Sequence, residues 1–210
     1  MPEEAERAVL RRICEPSRRL LQPRSLVCAV PKHLLLLAAC LWLGTLWHEA
    51  VGHGLVGLIC GGRIADLHVL GLDMYPVLRW VGWQGQYGHC GVVGVRSPRR
   101  EAVESLGGSV STYLVAVGAH VLLLARRWGA VGRLILAYLG IWWIDMLTYT
   151  LPTWGVRRSI LWGGFYSEPY RAAVELGVPG LIFQGFVVST SALMAAALVH
   201  GMVRRLRFRR

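Results

Sequence analysis

Long uncharged apolar runs, separated by Arg-rich and Gly-rich stretches, set the rhythm of this chain. Four runs stand out, at residues 33–60, 105–125, 130–150 and 179–203. Each has roughly the twenty residues that a helix needs to cross a hydrocarbon core. Between the first two runs the pattern changes. Gly61-Gly62-Arg63 ends a helix as glycine commonly does. Residues 64–69 and 71–80 then alternate loosely with aromatic and β-branched positions, and residues 87–95 repeat that texture, which predicts two or three short strands. The pattern therefore predicts an all-α polytopic membrane protein of about four transmembrane helices, with a small β-hairpin-like insertion between the first two. Residues 1–32 form a basic cytoplasmic or interfacial segment, 33–203 the membrane domain with its β-rich loop at 61–104, and 204–210 a basic tail.

Composition supports the same class. The chain is 54% hydrophobic with a mean hydropathy of +0.45, and a soluble domain would scatter charge through such runs. Of the 23 basic residues only Lys32 is a lysine, and they lie between and beyond the apolar runs, without a nucleic-acid-binding motif. We therefore expect the lipid bilayer, and no nucleic acid, as their partner. Four spans put both termini on one side, which collects fifteen basic residues against eight on the other, so both termini are expected in the cytoplasm. A polar, Arg-rich stretch of some thirty residues precedes the first apolar run, unlike a cleaved signal peptide. Five cysteines (14, 28, 40, 60, 90) without a C-x-x-C pair suggest neither a zinc knuckle nor a redox pair.

The chemistry concentrates inside the first run, at His48-Glu49-Ala50-Val51-Gly52-His53. Ionisable groups within a membrane span are costly and usually functional. In H-E-x-x-H two histidines four apart lie about 40° apart around a helix and hold zinc, while the adjacent Glu serves as general base. Here the spacing is one residue longer, which on a regular helix would separate the rings by about 140°. A π-bulge absorbs one residue and would restore the alignment, and Gly52 eases it. The alternative is a metal-free polar cluster, since Glu49 and His53 are themselves four apart. Asp145 is the one acid in the second to fourth runs and lies about fifteen residues into the third, as His48 does into the first, so the two reach similar depth. It reads either as a further ligand or as a polar contact between helices. His68, His89 and Cys90 match no standard ligand spacing and read as surface residues; Glu168 and Glu175 read as solvated loop residues; Gly107, Gly108, Ser109 and Ser111 read as small residues at a close helix contact.

The local spacing is similar to that of the dipeptidyl peptidase III enzymes, which carry His-Glu-Leu-Leu-Gly-His and bind zinc. The wider context, residues 40–155, resembles the site-2 protease family of intramembrane zinc metalloproteases: the motif in a membrane helix, small residues and Gly61-Gly62-Arg63 at its exit, a β-rich segment, then Ser105-Leu106-Gly107-Gly108 at the next helix. This chain departs from that family in its longer His spacing, in lacking a Pro near Gly108, and in having Met146 rather than Gly after Asp145. The resemblance implies zinc held by His48, His53 and Asp145, Glu49 as catalytic base, and a membrane-protein or peptide substrate. A non-catalytic membrane protein with a degenerate metal site is the alternative. Seven scattered histidines argue against a di-iron hydroxylase, and the lack of an inverted repeat argues against a transporter.

Overall fold

The computed structural model describes residues 23–126, 128–158 and 164–207, with most of residues 1–32 and part of the C-terminal tail lying outside the described residues. Most of the basic cytoplasmic or interfacial segment expected at residues 1–32 falls there. The chain divides into two compact units, Met1–Ala39 and Cys40–Arg210. In the first, the described residues are helical, and Leu34, Leu35 and Leu36 are exposed. The described helix includes residues 23–32 and continues into the first apolar run.

Helix α1 (Pro23–Trp47) passes into a π-helical segment (His48–Leu55) and a last turn, α2 (Val56–Ile59). Gly61 closes the helix with φ +88°, a conformation that glycine adopts without strain. Four antiparallel strands follow: β1 (Arg63–Val69), β2 (Leu72–Tyr75), β3 (Arg79–Trp80) and β4 (Gly88–Val93), in the order β3-β2-β1-β4. The expected hairpin is thus a four-stranded sheet, with β4 returning to the far side of β1. Leu70 and Gly71 make the two-residue turn between β1 and β2, both at positive φ, as tight hairpins require. His68 braces that turn: its Nδ1–H donates to Asp73 Oδ1 (2.9 Å) and its Nε2 accepts from the Gly71 N–H (3.2 Å). Asp73 also accepts from Arg79 Nε at 2.7 Å, and these two partners hold its carboxyl below the usual carboxylate range.

Helix α3 (Pro98–Ala125) runs through the centre of the second unit. The third apolar run is broken into α4 (Ala130–Gly140), α5 (Trp143–Thr150) and a 3₁₀ turn (Leu151–Trp154). The break is a tightening: Trp142 N–H bonds to Leu139 and Asp145 N–H to Trp142, each three residues back. Trp142 anchors it, its indole N–H lying 3.2 Å from the Cys40 carbonyl. A short helix α6 (Glu168–Glu175) and the long α7 (Gly180–Arg207) complete the unit. The core gathers Cys40, Tyr113, Ala116, Trp142, Met146, Ala173, Phe183, Val187 and Met194. His120 is buried among them, its ring nitrogens 2.8 Å from the Ala116 carbonyl and 3.0 Å from that of Met194.

The chain is mostly helical, with four stretches long and apolar enough to cross a membrane: Val30–Ile59, Pro98–Ala125, Val131–Trp154 and Gly180–His200. Their outward faces are apolar. Leu181, Ile182 and Leu193 of α7 and Leu114 of α3 are each more than 60% exposed, the reverse of a water-facing surface.

The π segment and α3 meet glycine to glycine. A Cβ on Gly52 would overlap the Gly108 backbone, and one on Gly107 would overlap the Gly52 carbonyl, so small residues set the separation. Gly118, on the same helix α3, has open space where its Cβ would be. We expect Gly52→Ala to destabilise the detergent-solubilised protein by about 1–3 kcal/mol through overpacking. Gly118→Ala should be neutral or stabilising by about 0.5–1 kcal/mol. Unfolding midpoints of the two variants check this contrast.

Candidate metal centre

The site begins with the helix geometry of residues 48–55. In a π-helix backbone bonds run five residues back, so side chains five apart align as those four apart do in an α-helix. That brings His48 and His53 together, with their Nε2 atoms 3.1 Å apart and both rings buried. Position 108 completes the approach, because a Cβ on Gly108 would collide with both Nε2 atoms.

The other nitrogen of each ring is held by a carboxylate. His48 Nδ1–H donates to Asp145 Oδ2 at 2.8 Å, and the Thr112 hydroxyl donates to the same oxygen at 2.9 Å. His53 Nδ1–H donates to Glu104 of α3, whose Oε1 and backbone oxygen both lie at 3.1 Å. With the ring proton on Nδ1, each Nε2 carries a lone pair, and two lone pairs then face each other at hydrogen-bond distance. A cation between them resolves this conflict. A carboxylate that fixes the tautomer from behind is also the usual outer partner of a metal-bound histidine.

Glu168 supplies the third donor. It stands in the first turn of α6, after Ser167, whose hydroxyl caps the Tyr149 carbonyl. Its Oε2 lies 3.7 Å from His53 Nε2. Among the described residues, one ligand atom each from His48, His53 and Glu168 lies within 4.8 Å of the other two, so this group could hold a metal ion. Two nitrogens at 2.0–2.1 Å from a tetrahedral zinc stand about 3.3 Å apart, close to the separation seen here. Burial pushes the Glu168 carboxyl above its usual range, while His53 and His48 draw it back down.

The structure brings all four expected residues to one place but distributes them differently. Asp145 reaches the motif through Nδ1 of His48, on the opposite side of the ring from the paired Nε2 atoms. Its match in depth to His48 reflects this hydrogen bond. Glu49 is buried one residue along the π segment and lies against β4, where a Cβ on Gly88 would overlap its carboxylate. Glu168 is not the solvated loop residue that its surroundings suggested; it is largely buried, beside His53. Ser167-Glu168-Pro169 does carry a helix-start signal, but no spacing rule ties a residue 115 positions on to His53. His68, His89 and Cys90 do not converge: His68 serves the hairpin turn and His89 pairs with the exposed Asp66 at 3.4 Å. Burial raises the Cys90 thiol to about 12, leaving it unreactive.

A cavity of about 880 Å³ opens onto the histidines. Glu49, Glu168 and Asp145 line it, as do Gly88–Val92 on the strand side and Trp142, Tyr149 and Arg158 opposite. The His48 ring stacks on Tyr149 at 5.7 Å, which fixes its plane.

No family model matches this chain, and no curated protein or solved structure matches it either. The geometry separates ligands from orienting residues in a measurable way. His53→Ala and Glu168→Gln should each abolish stoichiometric binding of an added divalent metal ion. Asp145→Asn, which keeps the shape but weakens the hold on Nδ1, should lower affinity by about 10–100-fold. Equilibrium dialysis with elemental analysis reads both effects.

Proposed function

We propose that this protein is a multi-pass membrane metalloprotease that uses zinc to hydrolyse peptide bonds of membrane-embedded or membrane-adjacent polypeptides. The observation that carries the reading is the pair of facing Nε2 atoms, each ring oriented from behind by a carboxylate and opening onto a cavity that also holds Glu49. The outward apolar faces support insertion in a bilayer, and the excess of arginine flanking the termini favours a cytoplasmic location for both.

In this reading His48, His53 and Glu168 hold the ion, and three protein ligands leave the open position that a catalytic site needs. When bound, zinc supplies Lewis acidity that polarises the scissile carbonyl and acidifies a water molecule. Glu49 takes the proton as the water oxygen bonds to the carbonyl carbon, and returns it to the departing amine nitrogen as the C–N bond breaks. Asp145 and Glu104 keep both imidazoles in the tautomer that presents Nε2. Tyr149 holds the His48 ring flat, and Trp142, at the start of α5, fixes the helix break from which Asp145 projects.

The sheet gives the substrate a place to lie. β4 is the end strand of the sheet and borders the cavity from Gly88 to Val92. An extended peptide can add to such an edge through backbone hydrogen bonds, which suits a helix that must unwind before its peptide bonds are reachable. Gly88 leaves room on that wall for the Glu49 carboxylate.

The test is a cleavage assay with membrane-peptide substrates on zinc-loaded protein. Glu49→Gln should keep its zinc and lose activity by about 10²–10⁴-fold, the usual share of a general base. A zinc-free preparation as active as the loaded one, or a fully active Glu49→Gln, would overturn the reading. Stoichiometric zinc with no product from any substrate would instead favour a non-catalytic metal protein.

A further inference from the structure

Arg158 is the single Lys or Arg among the described residues lining the cavity, and the reaction derived above gives it no task. It follows the 3₁₀ turn and Gly155, whose φ of +73° redirects the chain back over α5. Its backbone N–H is fixed to the Gly164 carbonyl at 3.0 Å. The guanidinium carbon lies 3.1 Å from the centre of the Tyr149 ring, so one face of the cation is packed on an aromatic. Three quarters of the side chain is removed from solvent. The carboxylate beside it, Asp145, presents Oδ1 at 3.8 Å, too long for a hydrogen bond, while Oδ2 is committed to His48 and Thr112.

A guanidinium carries five donors in a rigid plane and keeps its charge at any working pH. Among the described residues, Asp145 at 3.8 Å is its one anionic contact, and no acceptor lies within hydrogen-bond distance of the fork. The remaining carboxylates are otherwise engaged. Glu104 holds His53, and Glu168 belongs to the metal group. Glu49 lies across the cavity against β4. The cavity that Arg158 lines is large enough for a peptide, and a carboxylate is the partner whose two oxygens match the fork.

We propose that Arg158 is a specificity residue that anchors a carboxylate of the bound polypeptide, either a C-terminal carboxylate or an Asp or Glu side chain. This rests on the reading of the cavity as the place where a peptide meets the metal, and it adds which peptide is held. Packing on Tyr149 pre-orders the cation, so little side-chain freedom is lost on binding. A peptide held there has one end fixed on the Tyr149 side of the cavity while its backbone lies along β4.

The experiment is direct binding, read without hydrolysis, by fluorescence anisotropy of labelled peptides on full-length, zinc-loaded protein in detergent. One pair of peptides differs in a C-terminal carboxylate against a carboxamide. A second pair, amidated throughout, differs in one internal Glu against Gln. The wild-type protein should bind the acid member of at least one pair about tenfold or more tightly, and the pair that shows it identifies the source of the carboxylate. Arg158→Gln should bring that ratio to about one with zinc content unchanged, and Arg158→Lys should keep part of it, having charge without the fork. Equal binding of both members of both pairs by the wild type overturns the proposal, whatever the variants do. So does an Arg158→Gln protein that keeps the ratio. If Arg158→Gln does not fold, the wild-type ratios and Arg158→Lys decide alone: a ratio undiminished in the Lys variant overturns it. Cleavage without acid preference sinks the role of Arg158 and leaves the protease; acid preference without cleavage does the opposite.

Discussion

Eight residues of π-helix govern how the rest of this site is built. Histidines five positions apart belong on different faces of an α-helix, and the backbone at residues 48–55 widens until they share one. That widening is unfavourable for an isolated helix, so its surroundings must compensate. Gly52 is where they do so most visibly: α3 packs onto the widened turn with only Gly107 and Gly108 between the backbones. The close approach then carries Glu104 and Thr112, both on α3, to the backs of the histidines, Thr112 acting through Asp145. One local distortion and one small-residue contact therefore fix the rings, their tautomers and the space in front of them.

The second organising feature is interruption. An unbroken third span would carry its side chains past the site in regular helical order. The tightened turn at 141–145, pinned by Trp142, lets Asp145 meet His48 from the side while Tyr149, one turn on, stacks against the same ring. After the 3₁₀ turn the chain returns to place Arg158 over Tyr149 and, farther on, Glu168 beside His53. Irregular backbone is tolerated in apolar surroundings where it lines a cavity, and the π segment and the tightened turn at 141–145 both do.

The sheet contributes a flat wall more than a layer of core. Its hairpin turn is closed by His68 and Asp73, and its far strand lies along the π segment, where Gly88 makes room for Glu49. An exposed edge strand of this kind would invite aggregation in water, whereas in the proposed protease it would offer backbone groups to the substrate.

Local periodicity and residue chemistry made part of this architecture legible in the chain alone. The four apolar stretches, the helix exit at Gly61, the strand-like texture after it, the small residues at 107–108, and the need for a π-bulge between His48 and His53 all follow from spacing that a short window contains. The sequence also marked Asp145 as out of place in an apolar run, which is true whichever nitrogen it meets. Tertiary structure alone decided which carboxylate faces which side of each ring. That choice turns on a few ångströms between elements far apart in the chain: Glu168 lies 115 residues beyond His53, and Glu104, Arg158 and Tyr149 carry no local signal of a shared site. Periodicity says which face of a helix a residue occupies; only packing says what stands opposite.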